Sequence, residues 1–422
     1  MKFAHVGAAL AAVTMIVAAC GSNSGGGGGG NVAVKVGIEF PMSGGEAPNG
    51  VPSANGVALA LSQLTVPGFT ITINQQDDAV NGQHNPQQGA KNMSTLVNDA
   101  TVLFVVGPYN SNVAAAEIPV GNAAGLAQCS PANTNPGLTK TWPSYDYKAL
   151  RGTNPDKNAY FRTATTDDLQ GAAGADIAYN TVKAKTAYVA DDVEAYGKGL
   201  ADVFVTSFEK LGGKVVGRDS IPTTTTDFSS FVTKLKGLNP DYVFYGGVTT
   251  SGIGLFRNQM AQGGLTMPIG GGDGIVDGAA SVASSYLQIA GDGAVGSYGT
   301  TAGPHDLASD AKPSQTDLTA AYKAKYNTEP GAYTAGSYAC TQAFIQALTA
   351  VGAAANGDLA KLREAVRGYL ADPSHSYTSA VGTYSFDAAG DTSQKIVSYF
   401  QYDAGTKDWK FLSQRDFVKN PF

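Results

Sequence analysis

The feature of this sequence that most constrains its fold is a repeated alternation of strand-like and helix-like segments. Strand patterns at 34–40, 69–74 and 101–106 alternate with helix patterns at 54–64, 85–98 and 111–123. The run at 101–106 is apolar almost throughout, which is typical of a strand covered on both faces. The alternation resumes after residue 161 and continues to 271. Such units predict parallel sheets with right-handed crossovers, here divided into two α/β lobes.

The last quarter of the chain has a different pattern. Helices are predicted at 315–326, 333–351 and 359–370, followed by strands at 384–387, 396–402 and 409–412. The short turn between the last two strands predicts an antiparallel piece that closes a sheet. No internal repeat of 20–50 residues is sustained along the chain.

The charge and the reactive residues exclude several classes of protein. Lys and Arg number 28 against 34 Asp and Glu, a net charge of −6, which argues against a nucleic-acid partner. Three Cys and four His are too few for a disulfide scaffold or a zinc framework, and His84, His305 and His375 are scattered among polar loop residues. Nucleophile-elbow, phosphate-loop and zinc-protease motifs are missing from the sequence. We therefore expect no catalytic residues, no metal, no cofactor and no enzyme activity.

The N-terminus predicts export. Lys2 precedes an apolar stretch at 6–19, too short for a stable membrane span, so residues 1–19 have the pattern of a signal peptide. Small residues at 17–19 precede Cys20, as in the lipobox of bacterial lipoproteins; the alternative is an ordinary signal with an incidental cysteine. Residues 20–31 are Gly-rich and predict a flexible tether. We expect a body outside the cytoplasm, anchored through lipid on Cys20 to a bacterial membrane whose identity stays open.

Eight short stretches occur in an order that is similar to a known family. They are VGIEFPMSG (36–44), DDA (77–79), VVGP (105–108), CSPANTNP (129–136), FRTATTDDLQG (161–171), YGKG (196–199), YGG (245–247) and GTYSFD (382–387). Together they resemble the type I periplasmic solute-binding proteins, in the leucine/isoleucine/valine-binding group. The resemblance extends over about residues 34 to 410.

This resemblance implies an α/β fold of two Rossmann-like parallel-sheet lobes joined by three crossing strands. The crossings would fall near 163–164, 298–301 and 380–383. The N-terminal lobe would then comprise 32–163 with 301–380, and the C-terminal lobe 164–300 with 381–422. The lobes of this family close on a ligand in the cleft between them.

Three residues of the first lobe are candidates for binding the carboxylate of an amino acid. Ser111 follows a strand where a helix begins, so we expect an N-cap at the carboxyl edge of the sheet, where α/β proteins bind ligands. By resemblance it matches a carboxylate-binding serine; the alternative is a purely structural cap. Ala132 and Thr134 lie in the loop after the next strand, and by resemblance they offer backbone groups and a hydroxyl. Thr134 could instead be only a turn residue.

Three further candidates are expected to contact the rest of the ligand. Asp273 lies within a run of glycines that would let a ligand approach the backbone, and by resemblance it pairs with the ligand ammonium, although some relatives have the longer Glu. Asp167 resembles a cleft residue beside the hinge, with a helix N-cap as the alternative. Tyr196 resembles a tyrosine that closes over the ligand, with core packing as the alternative.

The sequence also departs from the family. The loop at 44–50 lacks an aromatic residue near the ligand side chain, and the aromatic stretch at 141–156 is longer than usual and could line the cleft mouth. Both departures put branched-chain specificity in doubt. The family's first-lobe disulfide is missing, because Val80 and Asn110 occupy its positions. Cys129 and Cys340 belong to the same lobe and could pair, but we expect two separate buried thiols.

The function implied by the resemblance is capture and delivery of a solute. We expect a lipoprotein, monomeric, that binds an amino acid with a branched-chain or other aliphatic side chain and delivers it to an ABC permease. Alternatives within this fold are an amide, urea or aromatic acid as the ligand. An alternative from another class is a sensory or cell-envelope interaction protein that does not take part in transport.

Overall fold

The computed structural model describes residues 31–422. The expected signal peptide, Cys20 and nearly all of the expected tether lie outside the described residues. In chain order the strands of the described part are β1 (Val32–Phe40), β2 (Phe69–Asp77), β3 (Ala79–Val80), β4 (Gln83–His84), β5 (Val102–Val106), β6 (Ala127–Ser130), β7 (Tyr160–Arg162), β8 (Thr186–Asp191), β9 (Lys214–Ser220), β10 (Tyr242–Gly246), β11 (Ile269–Gly270), β12 (Ser297–Thr301), β13 (Tyr377–Ser379), β14 (Gly382–Tyr384), β15 (Ile396–Asp403) and β16 (Asp408–Asp416).

The α-helices occupy most of the intervals between these strands. They are α1 (Ala47–Gln63), α2 (Pro86–Asn98), α3 (Ser111–Ala123), α4 (Tyr147–Leu150), α5 (Asp167–Asp176), α6 (Ala195–Lys210), α7 (Ser229–Leu238), α8 (Ile253–Gln262), α9 (Tyr286–Ala290), α10 (Gln315–Tyr326), α11 (Thr334–Val351) and α12 (Leu359–Ala371). Short 3-10 turns precede or follow several of them, including Asp273–Ile275.

The first lobe is built on a five-stranded parallel sheet. Its order is β2-β1-β5-β6-β7, with β1 paired to both β2 and β5. Every residue of β5 is buried, since helices cover both faces of the sheet. Helix α11 packs with α1 and α12 on this lobe, so the helices of the last quarter return to the first sheet.

The second lobe contains a seven-stranded mixed sheet. Its order is β16-β15-β12-β11-β10-β8-β9, and strands β8 to β12 run parallel. The hairpin of β15 and β16 adds antiparallel to β12 at one edge. The parallel sheets and the antiparallel closing piece expected from the sequence are therefore confirmed.

Three connections join the lobes, and the third lies later in the chain than expected. The chain leaves the first sheet after β7 and enters the second lobe with α5, and it returns between Thr301 and Ala302. Tyr384 and Phe386, however, still pack in the core of the first lobe. The last connection therefore lies between Phe386 and Ile396, beyond the expected 380–383. Local pairing of β13 with β14 keeps this segment on the first lobe.

Cys129 and Cys340 form a disulfide, so the expectation of two separate thiols is wrong in this structure. Cys129 lies on β6 and Cys340 on α11, and both are fully buried. The two residues are 211 positions apart in sequence. They meet only because α11 crosses the face of the first sheet, a helix position that the sequence pattern does not specify.

We predict that removal of this disulfide weakens the fold. A cross-link across so long a loop restricts the unfolded chain, and its loss typically costs roughly 2–5 kcal/mol. The double variant Cys129→Ala/Cys340→Ala should lose stability of this size in urea unfolding, measured without reductant. Wild type with reductant should approach the variant. Equal thiol counts in denatured wild type before and after reduction would show that the bond does not form.

Candidate ligand-binding site

A small cavity lies where the carboxyl edges of the two sheets face each other. It is lined by Tyr109, Asn110, Ser111, Asn112, Ala132, Thr134, Glu194, Tyr196, Val248, Asp273 and Gly274. Five of the six predicted site residues are in this lining; Asp167 is not. The cavity volume is about 20 Å³, little more than one water molecule needs. An amino acid can therefore enter only when the lobes move apart.

Ser111 reaches the cavity from the start of α3. The helix begins at Ser111 with Asn110 in the capping position, so the expected N-cap is displaced by one residue. The backbone N–H of Asn135 donates to Ser111 Oγ over 3.3 Å, and the serine hydroxyl hydrogen remains available to donate. The first N–H groups of a helix have no acceptor within it, and they favour an anion.

The loop that carries Ala132 and Thr134 is held by its own hydrogen bonds. The N–H of Ala132 donates to Ser130 Oγ over 3.1 Å. The buried guanidinium of Arg162 donates to the carbonyl of Asn135 over 2.8 Å. The N–H of Asp167 donates to the carbonyl of Thr134 over 2.9 Å. The loop is therefore fixed from both lobes, with Thr134 in the cavity wall.

Asp273 joins the two lobes. Tyr196 of the second lobe donates to Asp273 Oδ1 and Tyr333, which precedes α11 of the first lobe, donates to Oδ2, each over 2.8 Å. Burial raises the pKa of Asp273, and the hydrogen bonds from the two tyrosines hold that rise back. A Cβ at Gly272 would lie 2.4 Å from the Tyr196 hydroxyl, so this approach requires glycine.

Asp167 lies outside the cavity lining. It is the first residue of α5, with Thr166 at the cap, so the N-cap alternative is not what the structure has. Both carboxylate oxygens of Asp167 are buried without a hydrogen-bond partner among residues 31–422. Burial and then the charge of Asp273 raise the pKa of Asp167. Asp167 therefore places a second buried carboxyl group near Asp273 without lining the cavity itself.

A second polar cluster connects the lobes at the cavity's edge. His84 Nδ1 lies 2.5 Å from Glu46 Oε1 within the first lobe, and His84 Nε2 lies 3.1 Å from Glu194 Oε2 of the second lobe. Thr250 of the second lobe donates to Glu46 Oε1 over 2.8 Å. We name these four residues the interlobe cluster.

The electrostatics of the interlobe cluster favour a protonated imidazole. Burial lowers the pKa of His84, but the charge of Glu46 and the contacts with both glutamates outweigh burial and raise that pKa well above 6.5. Burial raises the pKa of Glu46, but His84 lowers it overall. Asp78 lies near the same charges. An imidazolium can donate to Glu46 and Glu194 at once, which links the lobes.

Two departures noted in the sequence lie beside the cavity rather than in it. Asn49, in the loop without an aromatic residue, lines a wider groove of about 870 Å³ between the lobes. Trp142, in the long aromatic stretch, lies beside α6 of the second lobe, where its indole nitrogen is 3.8 Å from an ideal Cβ at Gly199. The aromatic stretch therefore contacts the opposite lobe without lining the small cavity.

The side chains that line the cavity include groups that can bind a charged ligand. Its lining includes the acidic Glu194 and Asp273 and no Lys, Arg or His. Within residues 31–422, no group of three or more His, Cys, Asp or Glu is arranged to hold a metal ion. The arrangement can hold an ammonium at Asp273 and a carboxylate at α3.

In the same residues, 31–422, no helix is both long and apolar enough to cross a membrane.

Sequence reasoning missed several residues of this site. Tyr333, Glu46 and His84 come from segments far from the predicted site in sequence, and a histidine among polar residues, such as His84, carries no signal of a site. Tyr109 and Asn110 immediately precede Ser111. Their position at the same sheet edge is a signal that could have identified these two residues.

The chain is similar to known proteins over most of its length. The profile of a family described as periplasmic binding protein matches residues 33–411. The Leu/Ile/Val-binding protein homolog 1 of Brucella abortus (strain 2308) is 30% identical over 373 residues, which cover 87% of this chain and 90% of that protein.

Solved structures are similar over nearly the whole described chain. A leucine-binding protein of Thermotoga maritima has a TM-score of 0.74 at 26% identity, covering 92% of this chain and 99% of its own. The substrate-binding protein of a branched-chain amino acid transporter of Streptococcus pneumoniae, solved with isoleucine, has a TM-score of 0.74 at 25% identity. The match covers 91% of this chain and 99% of that one.

We predict that His84 makes stability depend on pH. A raised folded-state pKa means that its contribution is complete below the ordinary 6.5 and is lost as pH rises through the raised value. Charge-assisted hydrogen bonds contribute about 1.5–3 kcal/mol. Urea unfolding across this range should show a steeper loss for wild type than for His84→Gln, with Glu194→Gln intermediate.

The control for this prediction is His305→Gln, which alters a histidine with an exposed side chain. Its stability should follow wild type at every pH. Parallel curves for wild type and His84→Gln would mean that the interlobe cluster does not bind the proton.

Proposed function

The chain belongs to the type I periplasmic binding proteins, in the group of the Leu/Ile/Val-binding proteins, and from this premise we propose that it captures an amino acid between its lobes. Members of this family are substrate-binding components of ABC transporters and act outside the cytoplasm. We further propose that this protein delivers its ligand to an ABC permease and binds it without chemical turnover.

The observation that carries the proposal is the opposition of two complementary groups across one cavity. Ser111 and Thr134 lie on the first lobe beside the N-terminus of α3, and Asp273 lies on the second. The hydroxyls and the helix N-terminus suit a carboxylate, whereas Asp273 suits an ammonium. A zwitterionic amino acid has both groups at a fixed separation, which supports it over a simple acid or an amine.

The hydrogen bonds of Asp273 suggest how ligand binding and closure are coupled. Tyr196 and Tyr333 are neutral donors to this carboxylate. An ammonium adds a full positive charge to its hydrogen bond with the ionised carboxylate, so it can replace a tyrosine hydroxyl at Asp273. Because the ligand gains contacts from both lobes only when they meet, it shifts the population towards the closed form.

We also propose that the protein is held at a membrane by lipid on Cys20 and acts as a monomer. The support for the anchor is the sequence Val17-Ala18-Ala19-Cys20 followed by a Gly-rich stretch. Anchoring would keep the captured ligand near the permease. Two or more acyl chains give stable attachment, whereas one holds only marginally.

Neutralising Asp273 should weaken binding of every amino acid that the protein accepts, because the head group is common to all. Removing one partner of a desolvated charge pair costs about 2–5 kcal/mol, so Asp273→Asn should weaken binding at least tenfold. The measurement is calorimetric titration with a panel of amino acids. Asp219→Asn, a partly exposed carboxylate on β9, is the control and should bind as wild type does. Undiminished affinity in Asp273→Asn would refute the head-group assignment.

The anchor has a separate test. In a bacterial host, Cys20→Ala should move the protein from the membrane fraction to the soluble fraction, because the variant has no thiol to acylate. Ser22→Ala changes a neighbouring small residue and should leave the protein in the membrane fraction. If Cys20→Ala stays with the membrane, the lipobox interpretation fails while the proposal for ligand binding stands.

A further inference from the structure

Two side chains of the cavity wall carry polar atoms that nothing in the described chain satisfies. Tyr109 is 5% exposed and Asn110 is 6% exposed, and both line the cavity. The Tyr109 hydroxyl and Asn110 Oδ1 are buried, and neither has a hydrogen-bond partner within residues 31–422. Both residues lie just before Ser111, on the same side of the site as the proposed carboxylate subsite.

By contrast, Asn133, a buried amide at the same sheet edge, has a partner for both of its polar side-chain atoms. The adjoining Asn133 donates from Nδ2 to the carbonyl of Tyr109 over 2.8 Å, and its Oδ1 accepts from the hydroxyl of Tyr160 over 2.8 Å. Burying a polar group without a partner costs about 1–3 kcal/mol. Such groups in a binding cavity are expected where a ligand supplies the missing partner.

Glu194 adds a third polar side chain to the cavity lining. Its carboxylate accepts hydrogen bonds and cannot donate them when ionised. Only Oε2 of Glu194 contacts His84, so the other oxygen is free of that contact. Glu194, Tyr109 and Asn110 therefore place polar atoms in the cavity wall beside the apolar side chain of Val248.

We infer that the ligand is an amino acid with an uncharged, hydrogen-bonding side chain, a carboxamide or a hydroxyl, rather than an aliphatic one. The inference rests on the proposed function and refines its substrate class. A carboxamide has both donors and an acceptor, so it can pair with the amide of Asn110 in either orientation of that amide and with the Tyr109 hydroxyl. A carboxylate side chain would meet Glu194 at close range and be repelled.

The expected selectivity follows from the cost of leaving these groups unpaired. A site built to hydrogen-bond a ligand group rejects an isostere that lacks it far more strongly than an apolar pocket rejects an added hydroxyl. An aliphatic ligand would leave the Tyr109 hydroxyl and Asn110 without partners after the lobes close. We therefore expect at least tenfold weaker binding for the aliphatic member of a matched pair.

The experiment compares matched ligands by calorimetric titration of the full chain. The pairs are threonine with valine, asparagine with leucine, and asparagine with aspartate. The polar, uncharged member of at least one of the first two pairs should bind at least ten times more tightly, and aspartate should bind more weakly than asparagine. Valine and leucine binding as tightly as both of their polar partners would overturn the inference.

Variants of the two side chains give a test that is independent of absolute affinity. Tyr109→Phe removes one hydroxyl and keeps the edge-on packing against Tyr333, whose ring centroid is 5.8 Å away. Asn110→Leu removes the amide at similar size. Each should reduce the polar-to-aliphatic affinity ratio several-fold, whereas Asp273→Asn should weaken both ligands and leave the ratio unchanged.

The results of these titrations distinguish the inferred side-chain class from the proposal that the protein binds an amino acid. Preference for leucine or valine, weakened by Asp273→Asn, would overturn only the side-chain class. Binding of no amino acid at all would overturn both. An unchanged ratio in Tyr109→Phe and Asn110→Leu, with polar ligands preferred, would overturn the assignment to these two residues.

Discussion

The binding site depends on one buried cation, the guanidinium of Arg162 at the end of β7. Arg162 is 0% exposed and donates from Nε to Asp391 Oδ1 over 2.7 Å. Other guanidinium nitrogens bond Asn135 and Thr139 in the loop that carries Thr134. Burial raises the pKa of Asp391, but the charge of Arg162 lowers it overall, so both ends stay charged. The pair therefore fixes the third interlobe connection and the binding loop to the same point.

The contacts that close the lobes are mostly polar. Asp273 bonds a tyrosine from each lobe, and His84 contacts a glutamate from each lobe. Water can replace such partners when the lobes separate, whereas a large apolar interface would hold them shut. The apolar residues form separate cores within the lobes, so opening the cleft leaves those cores intact. The apolar cores therefore stabilise each lobe by itself, whereas the polar contacts between the lobes can change when the cleft opens or closes.

The positions that could be predicted from the sequence are those set by the local succession of strands and helices. Ser111, Ala132 and Thr134 each follow a strand of a parallel sheet, so the fold class alone places them at one edge. Tyr333 and Cys340 could not be placed in this way, because their contacts depend on how α11 crosses the first sheet. The third connection was placed too early because β13 and β14 pair with each other.

The proposed selectivity of this site and its proposed closure on a ligand depend on the same buried polar groups. The hydroxyl of Tyr109 and Oδ1 of Asn110 are buried without a partner among residues 31–422 while the lobes are in contact. Each disfavours closure by about 1–3 kcal/mol until a donor or acceptor reaches it. Opening the cleft can bring water to Tyr109 and Asn110, which line the cavity. The same groups would therefore favour the open form in the absence of ligand and disfavour a ligand that leaves them unpaired. The proposed preference for polar ligands and the proposed closure on a ligand would then share one physical cause.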